Sequence, residues 1–116
     1  MQENEKSEYE TVISNYYGDD QVTAIIHLKV DTKDADKIAE QISGSLVVED
    51  LFLVTGDTDI VAKVKVQTYN QLKRFIVDDL SKIDGIKDTK TLMVVTTFKE
   101  RSDLKFEPAE PKENEK

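Results

Sequence analysis

The sequence predicts a ferredoxin-like α+β domain of order βαββαβ, an antiparallel four-stranded sheet with both helices on one face. Three observations predict it. An alternating run over Val22–Val30 is followed by an apolar stripe at helical spacing. Two further apolar runs meet at a short polar loop built around Gly56. A second, longer helical stripe then leads through Gly85 into a last apolar run.

The elements follow in chain order. In the first strand Ala24, Ile26, Leu28 and Val30 share one face. Asp31 and Thr32 offer caps for a helix with the stripe Ala35, Ile38, Ala39 and Ile42, closed by Gly44. Residues 46–54 and 59–67 read as the second and third strands, a hairpin turning at Gly56. Thr68 caps a second helix that buries Tyr69, Leu72, Phe75, Ile76, Leu80 and Ile83 and stops at Gly85. Residues 86–98 form the last strand.

Two strands are apolar on both faces. In the second, Leu46, Val48, Phe52 and Val54 alternate with Val47, Leu51 and Leu53; in the last, Met93 and Val95 alternate with Leu92, Val94 and Phe98. A sheet with helices on one side and water on the other does not need this. A covering surface is expected, and a second copy of the sheet is the simplest one.

Size and charge narrow the function. A chain of 116 residues holds one ordinary domain. The formal charge of −8 is concentrated at the start, where residues 1–20 carry six acids and one lysine. These residues read as an acidic, largely flexible arm, though Tyr9, Val12, Ile13, Tyr16 and Tyr17 can dock on a surface. Residues 21–100 read as the compact domain. Residues 101–116, with both prolines, read as a charged disordered tail. The compact part is near neutral and has no basic stripe, which argues against direct nucleic-acid binding. The first and third strands carry no aromatic residue for stacking bases, so an RNA-binding sheet is not expected either. There is no long apolar run and no basic-then-apolar leader at the N-terminus, so no membrane partner is expected and the location is taken as cytoplasmic. The absence of cysteine excludes disulfides and thiol chemistry.

The loop Thr55, Gly56, Asp57, Thr58 and Asp59 has two readings. Its residues are ordinary turn formers, and a tight hairpin explains them. Free loop amides can also hold a carboxylate while an aspartate holds an ammonium group, and an amino acid carries both.

The hairpin motif VTGDTD (54–59), the alternating IVAKVKV (60–66) and the run IDGIKDTKTLMVV (83–95) together resemble the effector-binding (RAM) domain of the Lrp/AsnC, or feast/famine, regulators over residues 21–100. The resemblance implies dimerisation through the sheets into an α/β barrel, assembly of dimers into a ring such as an octamer, and an amino-acid effector bound between dimers. Thr55, Gly56, Asp57, Thr58 and Asp59 would form the ligand loop, joined by Thr89 and Thr91. It also implies a non-enzymatic role in transcription regulation. With only about twenty residues before the first strand, acidic rather than basic, where three packed helices need about fifty, the expectation is a stand-alone domain without a helix-turn-helix, acting through full-length regulators of its type. Thr58 departs from the aromatic residue usual at its position, which changes the size and apolar character of the pocket.

Other constellations carry less. His27, the single histidine, lies mid-strand on the predicted dimer face, and a small dimeric α/β barrel enzyme using it is the rival reading. No nucleophile–base–orienter trio accompanies it. Asp57 and Asp59 lack the ligand number and spacing of a calcium loop, so neither a metal nor a cofactor is expected. A ligand-free oligomerisation module is the third reading. Lys63 and Lys65 face away from the helices, where they can pair with Glu49 or line the dimer interface.

Overall fold

The computed structural model describes residues 21–106. The expectations for residues 1–20 and 107–116 lie outside them. The order is β1 (Val22–Val30), α1 (Ala35–Ser43), β2 (Val48–Leu53), β3 (Ile60–Val66), α2 (Tyr69–Arg74), β4 (Ile86–Met93) and a two-stranded hairpin of β5 (Lys99–Glu100) and β6 (Asp103–Leu104). The main sheet has the strand order β2-β3-β1-β4, antiparallel throughout, so β2 and β4 form its edges. This is the ferredoxin-like plan.

The core lies between the sheet and the helices. Ala24, Ile26 and Leu28 from β1 and Ile60 and Val64 from β3 are wholly buried, against Ile38 and Ile42 of α1 and Leu72, Phe75 and Leu80 of the second helix. The strict alternation of β3, with Ile60, Ala62, Val64 and Val66 buried, is the period-2 pattern of a strand covered on one face.

Helix starts and stops follow from particular residues. The Thr68 hydroxyl accepts a hydrogen bond from the Gln71 N–H at 3.1 Å, capping α2. The entry to α1 is a single 3₁₀ turn over Thr32–Asp34, and the Asp31 side chain makes no cap bond. After Arg74 the second helix continues through a π turn (Phe75–Asp79) and a 3₁₀ turn (Leu80–Lys82). The Leu80 N–H reaches back to the Phe75 carbonyl, so two residues five apart both point into the core. Gly85 ends this segment at φ +100°, and a Cβ there would lie 2.8 Å from Ile38 Cδ1, so the close packing of α1 requires glycine.

Three features differ from the sequence reading. The β2–β3 register shifts between Val48 and Asp50, and the extra residue turns the strand over. Val48 pairs with buried Val64 and Leu51 with buried Ala62, so both face the helices, whereas Phe52 opposite Val61 faces outward. The expected grouping of Val48 with Phe52 is therefore corrected. Secondly, β4 ends at Met93 rather than at residue 98. Thirdly, β6 lies beyond residue 100, within the segment read as tail, with Lys99 paired to Leu104 and Glu100 to Asp103. Arg101 and Ser102 at its tip have φ of 53° and 72°, the left-handed pair that a two-residue hairpin needs.

Candidate functional site

The loop between β2 and β3 is built onto the end of β1. Strand pairing between β1 and β3 stops at Leu28 opposite Ile60, which leaves the next amide of β1 on that side, Val30, without a partner on β3. Asp59 takes over that position. Its Oδ2 accepts the Val30 N–H at 2.9 Å, its own N–H donates to the Leu28 carbonyl at 2.9 Å, and its carbonyl accepts the Val54 N–H at 2.8 Å. Thr58 adds a hydroxyl bond to the same Leu28 carbonyl at 2.9 Å. Two of the five expected loop residues are thus half-buried and engaged in holding the hairpin.

The other three form the tip. Thr55, Gly56 and Asp57 are exposed, Gly56 has φ +132°, and nothing lies within 4 Å of where its Cβ would be. Lys29 Nζ donates to the Asp57 carbonyl at 3.0 Å, which steadies the tip, and among the described residues the Asp57 carboxylate meets no hydrogen-bond donor. Among the described residues no acceptor meets the N–H of Gly56, Asp57 or Thr58. Consecutive unpaired amides beside a carboxylate present donors and an acceptor side by side.

Thr89 and Thr91 lie elsewhere. They pair with Leu28 and Ile26 across the β1–β4 ladder and so face the helix layer on the outer strand. Thr91 lines a groove of about 240 Å³ with Leu72, Ile76 and Met93; Thr89 lines an adjoining one of about 280 Å³ with Leu80, Ile83 and Ile86. No hydrogen bond joins either threonine to the loop.

The open face of the sheet carries Ile25, His27, Val61, Phe52 and Leu92, with Phe52 and Leu92 exposed to 56% and 44%. His27 is half-buried between Val61 and Lys90 on neighbouring strands, and among the described residues its imidazole makes no hydrogen bond. Among the described residues no nucleophile or carboxylate orients it. Among the described residues no group of three or more His, Cys, Asp or Glu could hold a metal ion.

On the same face a charge cluster was only half visible in the sequence. Lys63 and Lys65 pair with Glu49, as expected, at 3.2 and 3.6 Å. They also pair with Glu100 of the β5–β6 hairpin, Lys63 by a hydrogen bond and Lys65 at 3.1 Å. Arg101 closes the cluster on Glu49 at 2.9 Å. Hydrogen bonds from Lys63 first and Lys65 second hold the Glu100 carboxyl at about 2, and the bond to Glu100 raises Lys63 above the ordinary lysine value against the opposing effect of burial. Glu100 was missed because it follows the last expected strand, at the end of the compact domain, and Arg101 because its segment reads as a tail. Its signal was the pair Phe98 and Phe106, whose rings meet edge to face at 5.5 Å.

Comparison with known proteins gives the same fold and a family. Residues 23–104 match the model of the Lrp/AsnC ligand binding domain. An uncharacterised HTH-type transcriptional regulator of Pyrococcus furiosus is 32% identical over 79 residues, 68% of this chain and 53% of that protein. The chain spans about half the length of the curated relatives it matches. Escherichia coli AsnC superposes with a TM-score of 0.63 at 20% identity, covering 80% of this chain and 58% of AsnC. The transcriptional regulator NMB0573 of Neisseria meningitidis, solved as its L-Met complex, superposes with a TM-score of 0.64 at 23% identity, covering 89% of this chain and 64% of that one. With the family model spanning most of its length, the chain belongs to the Lrp/AsnC ligand-binding domain family.

Proposed function

We propose that this chain is an effector-binding, non-enzymatic domain of transcription regulation, which assembles with copies of itself and takes an amino acid or a closely related metabolite between them. The observation that carries the reading is the loop tip. Unpaired amides at Gly56, Asp57 and Thr58 suit a carboxylate, and the free Asp57 carboxylate suits an ammonium group. That the Neisseria meningitidis regulator of the same fold was solved with L-Met supports this ligand class.

The sheet register supports a site shared between copies. Leu53, Ile60, Leu28 and Thr89 lie in one row across all four strands, with the loop joining Leu53 to Ile60 and resting its base on Leu28, and with Thr89 on the far side of Leu28 at the β4 edge. One chain alone keeps the two apart, and copies set side by side bring loop and threonines together. Thr55, Gly56, Asp57, Thr58 and Asp59 would then come from one copy and Thr89 and Thr91 from the next. A sheet-to-sheet dimer covers exposed Phe52 and Leu92. Regulation would pass through assembly with full-length Lrp/AsnC-type regulators.

The test is thermal unfolding of the purified chain with each of the twenty amino acids at millimolar concentration. A ligand at about a hundred times its dissociation constant adds about 2.7 kcal/mol, several degrees in a domain this size. A shift from one chemical group of amino acids, lost in Asp57→Ala, is the expected result. No shift with any of them leaves a hairpin and an oligomerisation module.

A further inference from the structure

We infer that residues 9–17 dock, within their own molecule, into the groove between the second helix and β4. The groove measures about 240 Å³ and is walled by Tyr69, Ile76, Val77, Thr91 and Met93. Its one charged lining residue is Lys73. It lies on the helix side of an edge strand, while α1 packs over β2 at the other edge of the sheet. Val77 on its rim is 54% exposed. An apolar furrow at the side of a helix layer is surface that a further apolar segment can cover.

The segment has the pattern for it. Tyr9, Val12, Ile13, Tyr16 and Tyr17 recur at i, i+3, i+4, i+7 and i+8, the spacing of one apolar helix face. Ser7 and Glu10 stand three apart ahead of this stripe, as in a capping box, and Gly18 after it is a stop signal. So short a helix is marginal alone and depends on having its apolar face covered. Nine helical residues extend about 13 Å, which is also what β4 covers in four rises from Thr89 to Met93. The grooves lined by Thr91 and Thr89 adjoin along that length.

The chain enters the sheet at the mouth of the groove. Ala24 pairs with Met93, and Val22 pairs with Val66 just ahead of α2. Residues 18–21 span up to about 13 Å, enough to turn from Val22 back onto the helix side. The opposite face is already taken at this end. Thr23, which points away from the helices, is only 5% exposed, and Lys65 beside it is held by Glu100 of the β5–β6 hairpin. Charge favours the same placement. Residues 1–20 carry six acids and one lysine, whereas Lys73 and Arg74 of α2 are exposed and, among the described residues, pair with no carboxylate. The contact needs neither a ligand nor a second copy, so it stands or falls apart from the proposed function.

Because the chain has no cysteine, trapping is clean. The full chain is prepared as Ile13→Cys/Val77→Cys and as Tyr16→Cys/Val77→Cys and oxidised at low micromolar concentration. At least one pair is expected to close within a single chain, seen as a faster band of monomer mass on a non-reducing denaturing gel. Thermal unfolding adds a second readout. Ile13→Asp and Val77→Asp are each expected to lower the unfolding temperature by several degrees, and the double variant to lower it no further than the larger single effect, as residues sharing one contact do. Thr11→Asp, on the opposite side of the helical spacing, is expected to leave it unchanged. Ile13→Asp unfolding like the parent overturns the inference, as does an additive loss in the double variant or the failure of both cysteine pairs to crosslink. So do disulfides that join only different chains, which would give the groove to the arm of a neighbouring copy.

Discussion

The Asp59 carboxylate accepts the Val30 backbone N–H at 2.9 Å, extending the β1–β3 ladder by one rung beyond the point where β3 begins. One side chain thereby does the work of a missing strand residue. It also separates the loop into a fixed base, Thr58 and Asp59, and a tip at Thr55, Gly56 and Asp57 with free polar groups. The motif that marks the loop in the sequence therefore mixes residues that position it with residues able to meet a ligand.

Removing that acceptor has a definite cost. Asp59→Ala leaves the Val30 amide without a partner, and an unsatisfied backbone donor costs about 1–3 kcal/mol. Asp59→Asn keeps a side-chain carbonyl in place and loses less. Urea unfolding of both variants, with the slope unchanged and the midpoint lowered more in Asp59→Ala, is the expected outcome. Asp57→Ala, at the exposed tip, leaves the unfolding free energy within about 0.5 kcal/mol of the parent's.

The two positive-φ glycines differ in what surrounds them. Gly56→Ala at φ +132° meets only backbone strain, with no atom within 4 Å of the new methyl. Gly85→Ala at φ +100° meets the same strain, about 1–2 kcal/mol, and also drives a methyl to 2.8 Å from Ile38 Cδ1. Overpacking adds about 1–3 kcal/mol. Thermal unfolding should rank the parent above Gly56→Ala and both well above Gly85→Ala.

Acid should loosen the β5–β6 hairpin in a narrow window. The folded Glu100 carboxyl is held at about 2, below the ordinary 4.5, so its stabilisation is complete above pH 4.5 and is lost as the pH falls towards 2. Lys63, raised above 10.5, acts in the opposite sense, stabilising fully below 10.5 and failing as the pH climbs through its raised value. The expected result is that Glu100→Gln removes part of the acid-side fall in unfolding temperature between pH 4.5 and 2. An acid limb identical to the parent's would show that the cluster contributes nothing to folding.

The sequence was most readable where one face of an element decides its pattern. Alternation in β3 and the Thr68 cap need only local rules, and both stand in the structure. The β2 bulge was hidden because periodicity cannot register an inserted residue, and it transferred Val48 to the helix side. The π turn was hidden for a similar reason, since it joins Phe75 to Leu80 at a spacing no α-helix uses. Part of the site was legible as a motif, and its roles were not. Which of Asp57 and Asp59 is engaged depends on where β1 outruns β3, a fact of register between distant residues.

Register also yields the last prediction, on the open face. Phe52 and Leu92 lie on opposite edge strands, both exposed, while the strands between them contribute Val61 and Ile25. An apolar surface of this breadth, flanked by the Glu49, Lys63, Lys65 and Glu100 cluster, fits a sheet-to-sheet contact with a polar rim. Because neither side chain contributes to the buried core, Phe52→Asp and Leu92→Asp should fold with little change in the stability of the isolated chain. Burying a carboxylate without a partner in the contact is costly, so both should dissociate the dimer. Light scattering at matched concentrations is expected to show the parent at twice the mass of either variant or more. If both variants keep the parent's mass, the open face is not where copies meet, and Phe52 and Leu92 are simply exposed.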